Sequence, residues 1–314
     1  MKRSIARIGL LADGAPDLPV AVATGISHAS DADDEVRAVV RDLIELLHTR
    51  PAHKVAVLYG SSTPYARLLH EQLAAAGVCV NGTGERPTVE RVMARALVDL
   101  LALAQDGLDR SAVFRLLTSA PIRGADGKQV PSSRWERLSR AALVVGDDSW
   151  GPRLRRYADS QRGRAATGPD GAAPPDWLVA KCNRTADDAD TLRAFIEDLQ
   201  ERLAAGRSTN EWTELALWAL DSYHALLGDE TTRWQLPPEE ARAARRVEQL
   251  LQGLMGLEAI EPEAGLGALR GVVELELGDD LPRVGVFGTG VLVAHVQAAV
   301  GLDVDQVFVG GGAR

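Results

Sequence analysis

Residues 55–80 read VAVLYGSSTPYARLLHEQLAAAGVCV, and this stretch decides the fold class. Val55-Ala56-Val57-Leu58-Tyr59 is a short unbroken apolar run rich in β-branched residues, the pattern of a strand buried on both faces. Gly60-Ser61-Ser62-Thr63 is polar and turn-forming. Thr63 suits a helix N-cap and Pro64 the first helical position, where a missing N–H costs nothing. Tyr65, Leu68, Leu69, Gln72 and Leu73 then recur at helical spacing, and Gly77 suits the left-handed residue that ends a helix. Val78-Cys79-Val80 predicts a second strand. Strand, helix and strand in this order are the grammar of a parallel α/β sheet.

Upstream, a helix is predicted from Asp34, with Val36, Val39, Val40, Leu43, Ile44 and Leu47 on one stripe. Asp33, Asp34 and Glu35 complement its positive end, and Pro51 stops it. Downstream, helices are predicted over about 88–103 and 109–117. A Ser133/Glu136 capping box predicts a helix carrying Trp135, Leu138 and Leu143. Residues 160–175 (SQRGRAATGPDGAAPP) have the composition of a flexible loop. Three further helices are expected. One carries Leu192, Phe195, Ile196, Leu199 and Leu203. One starts at a Ser208/Glu211 box and carries Trp212, Leu215, Ala219 and Leu220. One opens at Pro238 and carries Val247, Leu250, Leu251 and Leu254.

All six tryptophans lie between Trp135 and Trp234, which marks a helical core of its own. Strands return at Val284–Phe287, Val291–Val293 and Val307–Val309. The expected organisation is therefore a tail (1–30), the first part of a parallel-sheet α/β lobe (31–124), a mostly α-helical inserted domain (125–280) and the lobe's returning strands (281–314). The sequence stops directly after a strand, so a truncated fragment is expected.

The 314 residues carry a formal charge of −9 and 46% hydrophobic residues. That balance suits a globular protein and argues against an all-basic surface for duplex binding, though a local basic groove remains compatible. No apolar stretch reaches the length of a membrane span and no leader pattern is present, so a cytoplasmic location is expected. Two cysteines, Cys79 and Cys182, make neither a disulfide framework nor a zinc site, and the histidines lack metal-ligand spacing.

Residues 55–103, with 109–124 (DRSAVFRLLTSAPIRG) after them, resemble the second (C-terminal) motor lobe of UvrD-like superfamily I helicases, which carries an AVLYR-type strand, a polar turn and a helix. Residues 291–311 (VLVAHVQAAVGLDVDQVFVGG) resemble a degenerate form of that family's T-x-H-x-x-K-G-L-E-x-x-x-V-F-V motif, with Gly301-Leu302-Asp303 and Val307-Phe308-Val309 in the expected order. The branch it most resembles is AddB-like, a helicase-derived scaffold fused to a PD-(D/E)XK nuclease, and residues 26–47 read like the start of its second lobe. The resemblance covers roughly 27–309. It implies a RecA-like lobe, a role in DNA repair and recombination, and single-stranded DNA as partner, together with a helicase or nuclease subunit or the remainder of a longer polypeptide. ATP and Mg are expected only with a missing motor lobe. Gly60 stands where the family has arginine after the strand tyrosine, and Val300 where it has lysine. No G-x-x-x-x-G-K-[ST] loop and no nuclease carboxylates are present, so no catalytic residue is assigned.

The residues expected at nucleic acid are Tyr59, Ser61, Ser62, Thr63 and Arg67 in the first block, and His295 and Gln297 in the last. A basic section supplies Arg134, Arg137, Arg153 and Arg155. From Arg134 to Arg164 eight arginines, with Arg140, Arg156, Arg162 and Arg164 among them, face four acids, Glu136, Asp147, Asp148 and Asp159. Trp135, Trp150 and Tyr157 are interleaved as possible stacking faces. The same features also suit a capped surface helix and a solvated helix face over a tryptophan core. A different reading is a Rossmann-like enzyme binding a nucleotide or sugar-nucleotide, for which Asn81-Gly82-Thr83-Gly84 and Phe287-Gly288-Thr289-Gly290 are the only phosphate-loop candidates.

Without a phosphate loop, the purified chain is expected to show no ATP turnover above background, with or without DNA. A phosphate-release assay checks this, and turnover abolished by a substitution in this chain would contradict it.

Overall fold

The computed structural model describes residues 25, 27–84, 86–167, 173–233, 235–261, 263–280, 282–286 and 288–311. Most of the expected tail, Trp234 and Phe287 lie outside them. The chain divides into two compact units, one formed by 1–85 with 283–314 and the other by 86–282. Among the described residues no helix is long and apolar enough to cross a membrane.

The first unit is α/β. Its elements are α1 (Ala32–Leu47), β1 (Val55–Tyr59), α2 (Ser62–Ala75), β2 (Val80–Thr83), β3 (Arg283–Val284), β4 (Val291–His295) and β5 (Gln306–Gly310). The strand order is β3-β2-β4-β1-β5. β2, β4, β1 and β5 are parallel, whereas β3 pairs antiparallel with β2, so the sheet is mixed rather than wholly parallel. β1 lies between β4 and β5, and all five of its residues are buried. That position explains the unbroken apolar run, because each face of a central strand needs an apolar side chain. Val36, Val40 and Leu43 of α1 and Leu69 and Leu73 of α2 pack with Val55, Val57, Tyr59, Val291 and Val293. The opposite face buries Ala56, Leu58 and Ala294 under Ala299 and Val304.

The turn before α2 and its end are as expected, but no side-chain hydrogen bond caps its start. Thr63 keeps an extended backbone and the regular helix begins after it, while Gly77 is left-handed at φ +69°. The second strand starts two residues later than expected. The Val78 N–H is taken by Leu73 O (2.9 Å) in closing the helix, so pairing begins at Val80 opposite Val291. Among the described residues, the expected strand at Val284–Phe287 keeps only Val284. Gly285 turns the chain at φ +76°, where an added Cβ would meet Val80 O at 2.0 Å.

The second unit is helical: α3 (Val92–Asp106), α4 (Arg110–Ser119), α5 (Ser132–Ala141), α6 (Trp150–Ala166), α7 (Asp176–Arg207), α8 (Trp212–Leu227), α9 (Pro238–Leu254) and α10 (Leu266–Asp279). α3 is apolar nearly all round and lies inside the core with Leu97, Leu100, Leu101 and Leu103. The boundary expected after 124 therefore moves to 85/86: α3 and α4 belong to the helical core rather than to the sheet. The ends of this unit are tied together, since Thr88 donates from its backbone N to Asp280 O (2.8 Å) and from Oγ1 to the Asp280 carboxylate (2.6 Å).

Neither expected capping box forms. Ser133 lies inside α5, and the Ser208 hydroxyl donates to Ala205 O (2.8 Å) at the end of α7. Leu143 lies beyond α5 with φ +60° and is exposed. The loop expected from 160 starts only after Ala166, because Leu154, Ala158 and Gln161 seat α6 at helical spacing.

Trp150 is fully buried and its Nε1 donates to Leu108 O (2.8 Å). Trp150→Ala is expected to destabilise the protein by about 3–5 kcal/mol, through a cavity and an orphaned carbonyl. Urea unfolding followed by circular dichroism checks this, and an effect below about 1 kcal/mol would contradict the packing described.

Candidate nucleic-acid interface

In the first unit, parallel pairing brings the carboxyl ends of β1, β4 and β5 to one edge, the side of an open α/β sheet where ligands commonly bind. Tyr59 and His295 are register partners, their rings edge to face with centroids 5.9 Å apart. His295 Nε2 donates to Gly60 O (3.0 Å) and Nδ1 accepts from the Gln297 N–H (3.3 Å). The Gly60 N–H donates to Gly310 O (3.2 Å). A Cβ at position 60 would lie 3.0 Å from Gly311 O, so glycine permits this approach of the turns after β1 and β5.

Ser61, Ser62, Thr63 and Gln297 are exposed on this edge. The Ser61 hydroxyl donates to Thr63 O (2.8 Å) and holds the turn. Tyr59 is a correction: it is 2% exposed and cannot touch a strand directly. Burial raises its hydroxyl pKa, and its hydrogen bond with Ser62 works in the opposite direction. Its place is beneath the site, bracing His295 and Ser62. Arg67 lies one turn further along α2, exposed, with Nη1 3.1 Å from Glu71.

Glu35 was missed as a site residue, because in the sequence it is one of three acids at a helix start. Its carboxylate accepts from Tyr65 Oη (2.6 Å) and from the Gly311 N–H (3.1 Å), tying α1, α2 and the turn after β5. The bond to Glu35, with burial, pushes the Tyr65 pKa up to about 12.

In the second unit the basic section does not form one continuous track. Arg134 is bound to Asp188 of α7 (2.7 Å), Arg140 to Glu136, and Arg162 to Asp190. Arg137, Arg153, Arg155, Arg156 and Arg164 are exposed and make no ion pair among the described residues. On α6 the spacing puts Arg153, Arg156 and Arg164 on one flank, and Arg155 with Arg162 on the other. Trp135 and Trp150 are also corrected, since both are buried in the core and offer no face to a base. Among the described residues Trp177 is the exposed tryptophan, at 66%. A cleft of about 220 Å³ between α4 and α5 brings Arg140 together with Arg110 and Arg115, which sequence separation had hidden. Arg115 is held there by the buried carboxylate of Asp99 (2.8 Å).

The two glycine loops serve strand packing. Asn81-Gly82-Thr83 lies in β2, where a Cβ on Gly82 would meet Val293 O at 1.9 Å. Gly290 approaches Cys79 O in the same way, and β4 follows it rather than a helix. Neither loop opens a helix whose N-terminus would hold a pyrophosphate. Among the described residues the turns after β1, β4 and β5 carry no lysine or arginine. No group of three or more His, Cys, Asp or Glu is gathered for a metal among them either. In comparisons with known proteins, no family model matches the chain and no curated protein is similar to it.

The raised pKa of Tyr65 has a defined sign. The folded state holds the proton to about pH 12 against an ordinary 10.0. The stability linked to it is whole below pH 10 and is lost as pH rises through the folded value. Tyr65→Phe is expected to cost about 0.5–1.5 kcal/mol at neutral pH and to make the alkaline decline shallower. Urea midpoints at about pH 8 and about pH 11 check this, and parallel declines in both proteins would contradict it.

Proposed function

We propose that this chain is a helicase-derived DNA-repair and recombination component that guides single-stranded DNA, its sheet unit a RecA-like lobe and its helical unit a domain inserted in that lobe. The observation that carries this reading is the meeting of Tyr59 and His295. They belong to the two sequence blocks that resemble UvrD-like helicases, and these lie on either side of the whole helical unit in the chain. Their pairing gathers Ser61, Ser62, Thr63 and Gln297 on one exposed edge.

That edge has hydroxyls, a side-chain amide and backbone groups but, among the described residues, no lysine or arginine in its turns. It is suited to positioning a sugar–phosphate backbone, and little suited to supplying affinity by charge. The attraction comes from Arg67 on the sheet unit and from the unpaired arginines Arg137, Arg153 and Arg155 on the helical unit. ATP, Mg and the power stroke belong to a partner helicase or nuclease subunit, or to another part of a longer polypeptide, in the cytoplasm. The rival nucleotide-enzyme reading gains no support from glycine loops engaged in strand packing.

Labelled oligonucleotide anisotropy over a salt series tests this. If about three to five arginines each meet a phosphate, log K falls with log salt at a slope of roughly −2 to −3.5, with micromolar or weaker affinity. Arg67→Ala removes about 0.7 of that slope. Binding that ignores salt, or no binding at low salt, would overturn the proposal.

A further inference from the structure

A tryptophan side chain carries a large apolar area, and this protein buries Trp135, Trp150 and Trp212. Trp218 is partly buried, with its Nε1 donating to Arg202 O at 2.8 Å. Trp177, in the first turn of α7, is 66% exposed. Lys181 and Arg184 follow it at i+4 and i+7, the spacing of one helix face, and both are exposed. Neither makes an ion pair among the described residues. The next residue of this face, Asp188, is bound by Arg134 of α5, so basic α5 flanks the same side of α7. α6 lies along another side: Arg162 bonds Asp190, and Gln200 Nε2 reaches Asp147 O at 3.5 Å. These contacts fix an antiparallel register that places Trp177 past the last turn of α6.

We infer that Trp177, Lys181 and Arg184 form a docking stripe for single-stranded nucleic acid, an unpaired base stacking on the indole while the two cations hold adjacent phosphates. The inference rests on the DNA-binding reading above and adds a site to it. An indole face is sequence-tolerant and needs a base free of its partner, which selects single strands over duplex. Lys181 lies about 6 Å and Arg184 about 10 Å along the helix axis from Trp177, close enough for neighbouring nucleotides. A membrane surface fits less well, because Leu178 and Val179 beside Trp177 are half-buried and add no apolar area for insertion.

The test uses the full chain with a labelled oligo-dT over a salt series, plus Trp177→Ala, Trp177→Phe and the Lys181→Ala/Arg184→Ala pair. Trp177→Ala should weaken binding about five- to hundredfold with the salt slope unchanged, and Trp177→Phe should recover most of the loss. The double variant should lower the slope by about 1.4. These residues are exposed, so unchanged circular dichroism is expected in every variant. Wild-type affinity in Trp177→Ala, with the parent's salt slope intact, would overturn this stripe and leave the proposed function standing. Absence of any binding by the parent would remove both. Binding of the parent to anionic vesicles, lost in Trp177→Ala while oligo-dT binding is kept, would overturn it in favour of a lipid surface.

Discussion

The structure depends on the insertion of one short strand between two others that the chain reaches only after completing a separate helical unit. β1 is paired on both sides, by β4 and β5, and all of its residues are buried. Until both neighbours arrive its backbone groups lack partners, and an unpaired buried peptide group costs about as much as a lost hydrogen bond. The sheet unit is thus completed only by non-local pairing. Two ties make the return feasible. Thr88 and Asp280 join the ends of the helical unit, and in the sheet unit Thr83 pairs with Arg283. The chain leaves the sheet and comes back to it at neighbouring points.

The same constraint produces the candidate site. Parallel pairing sets the ends of β1, β4 and β5 side by side, so Gly60, His295 and Gly310 meet through backbone and imidazole hydrogen bonds. Glu35 completes the arrangement by holding the Gly311 N–H and the Tyr65 hydroxyl. The edge is built mainly of backbone and small polar side chains, and its geometry comes from the sheet. The helical unit contributes a different chemistry, with unpaired arginines and an exposed indole on a packed helical scaffold.

Much of the local structure was legible. The apolar run of β1, Pro64 after Thr63 and Gly77 at the end of α2 each act within a few residues, and their chemistry is local. The unit boundary was not legible, because α3 is apolar nearly all round and its pattern suits a core under either lobe. The order of the sheet was also hidden, since pairing across the helical unit leaves no trace in spacing. Tryptophan clustering correctly pointed to a helical core, but composition says nothing of which face each ring takes. Trp135 and Trp150 sit on the buried stripes of α5 and α6, whereas Trp177 sits off the stripe of Cys182, Ala186 and Ala189 on α7. That offset is visible in the sequence once the extent of α7 is known. Glu35 could not have been singled out, because its partners lie on α2 and beyond β5.

In the proposed function, exposed residues on each unit contact single-stranded DNA. The most direct measurement is photo-crosslinking of the intact chain to a single-stranded oligonucleotide carrying a photoreactive base, with the attached peptides identified by mass spectrometry. The account predicts attachment in peptides containing Ser61–Arg67 and Trp177–Arg184, competed by unlabelled single strands. Attachment scattered over the rest of the surface, or confined to peptides lacking these two segments and Arg137–Arg155, would contradict it.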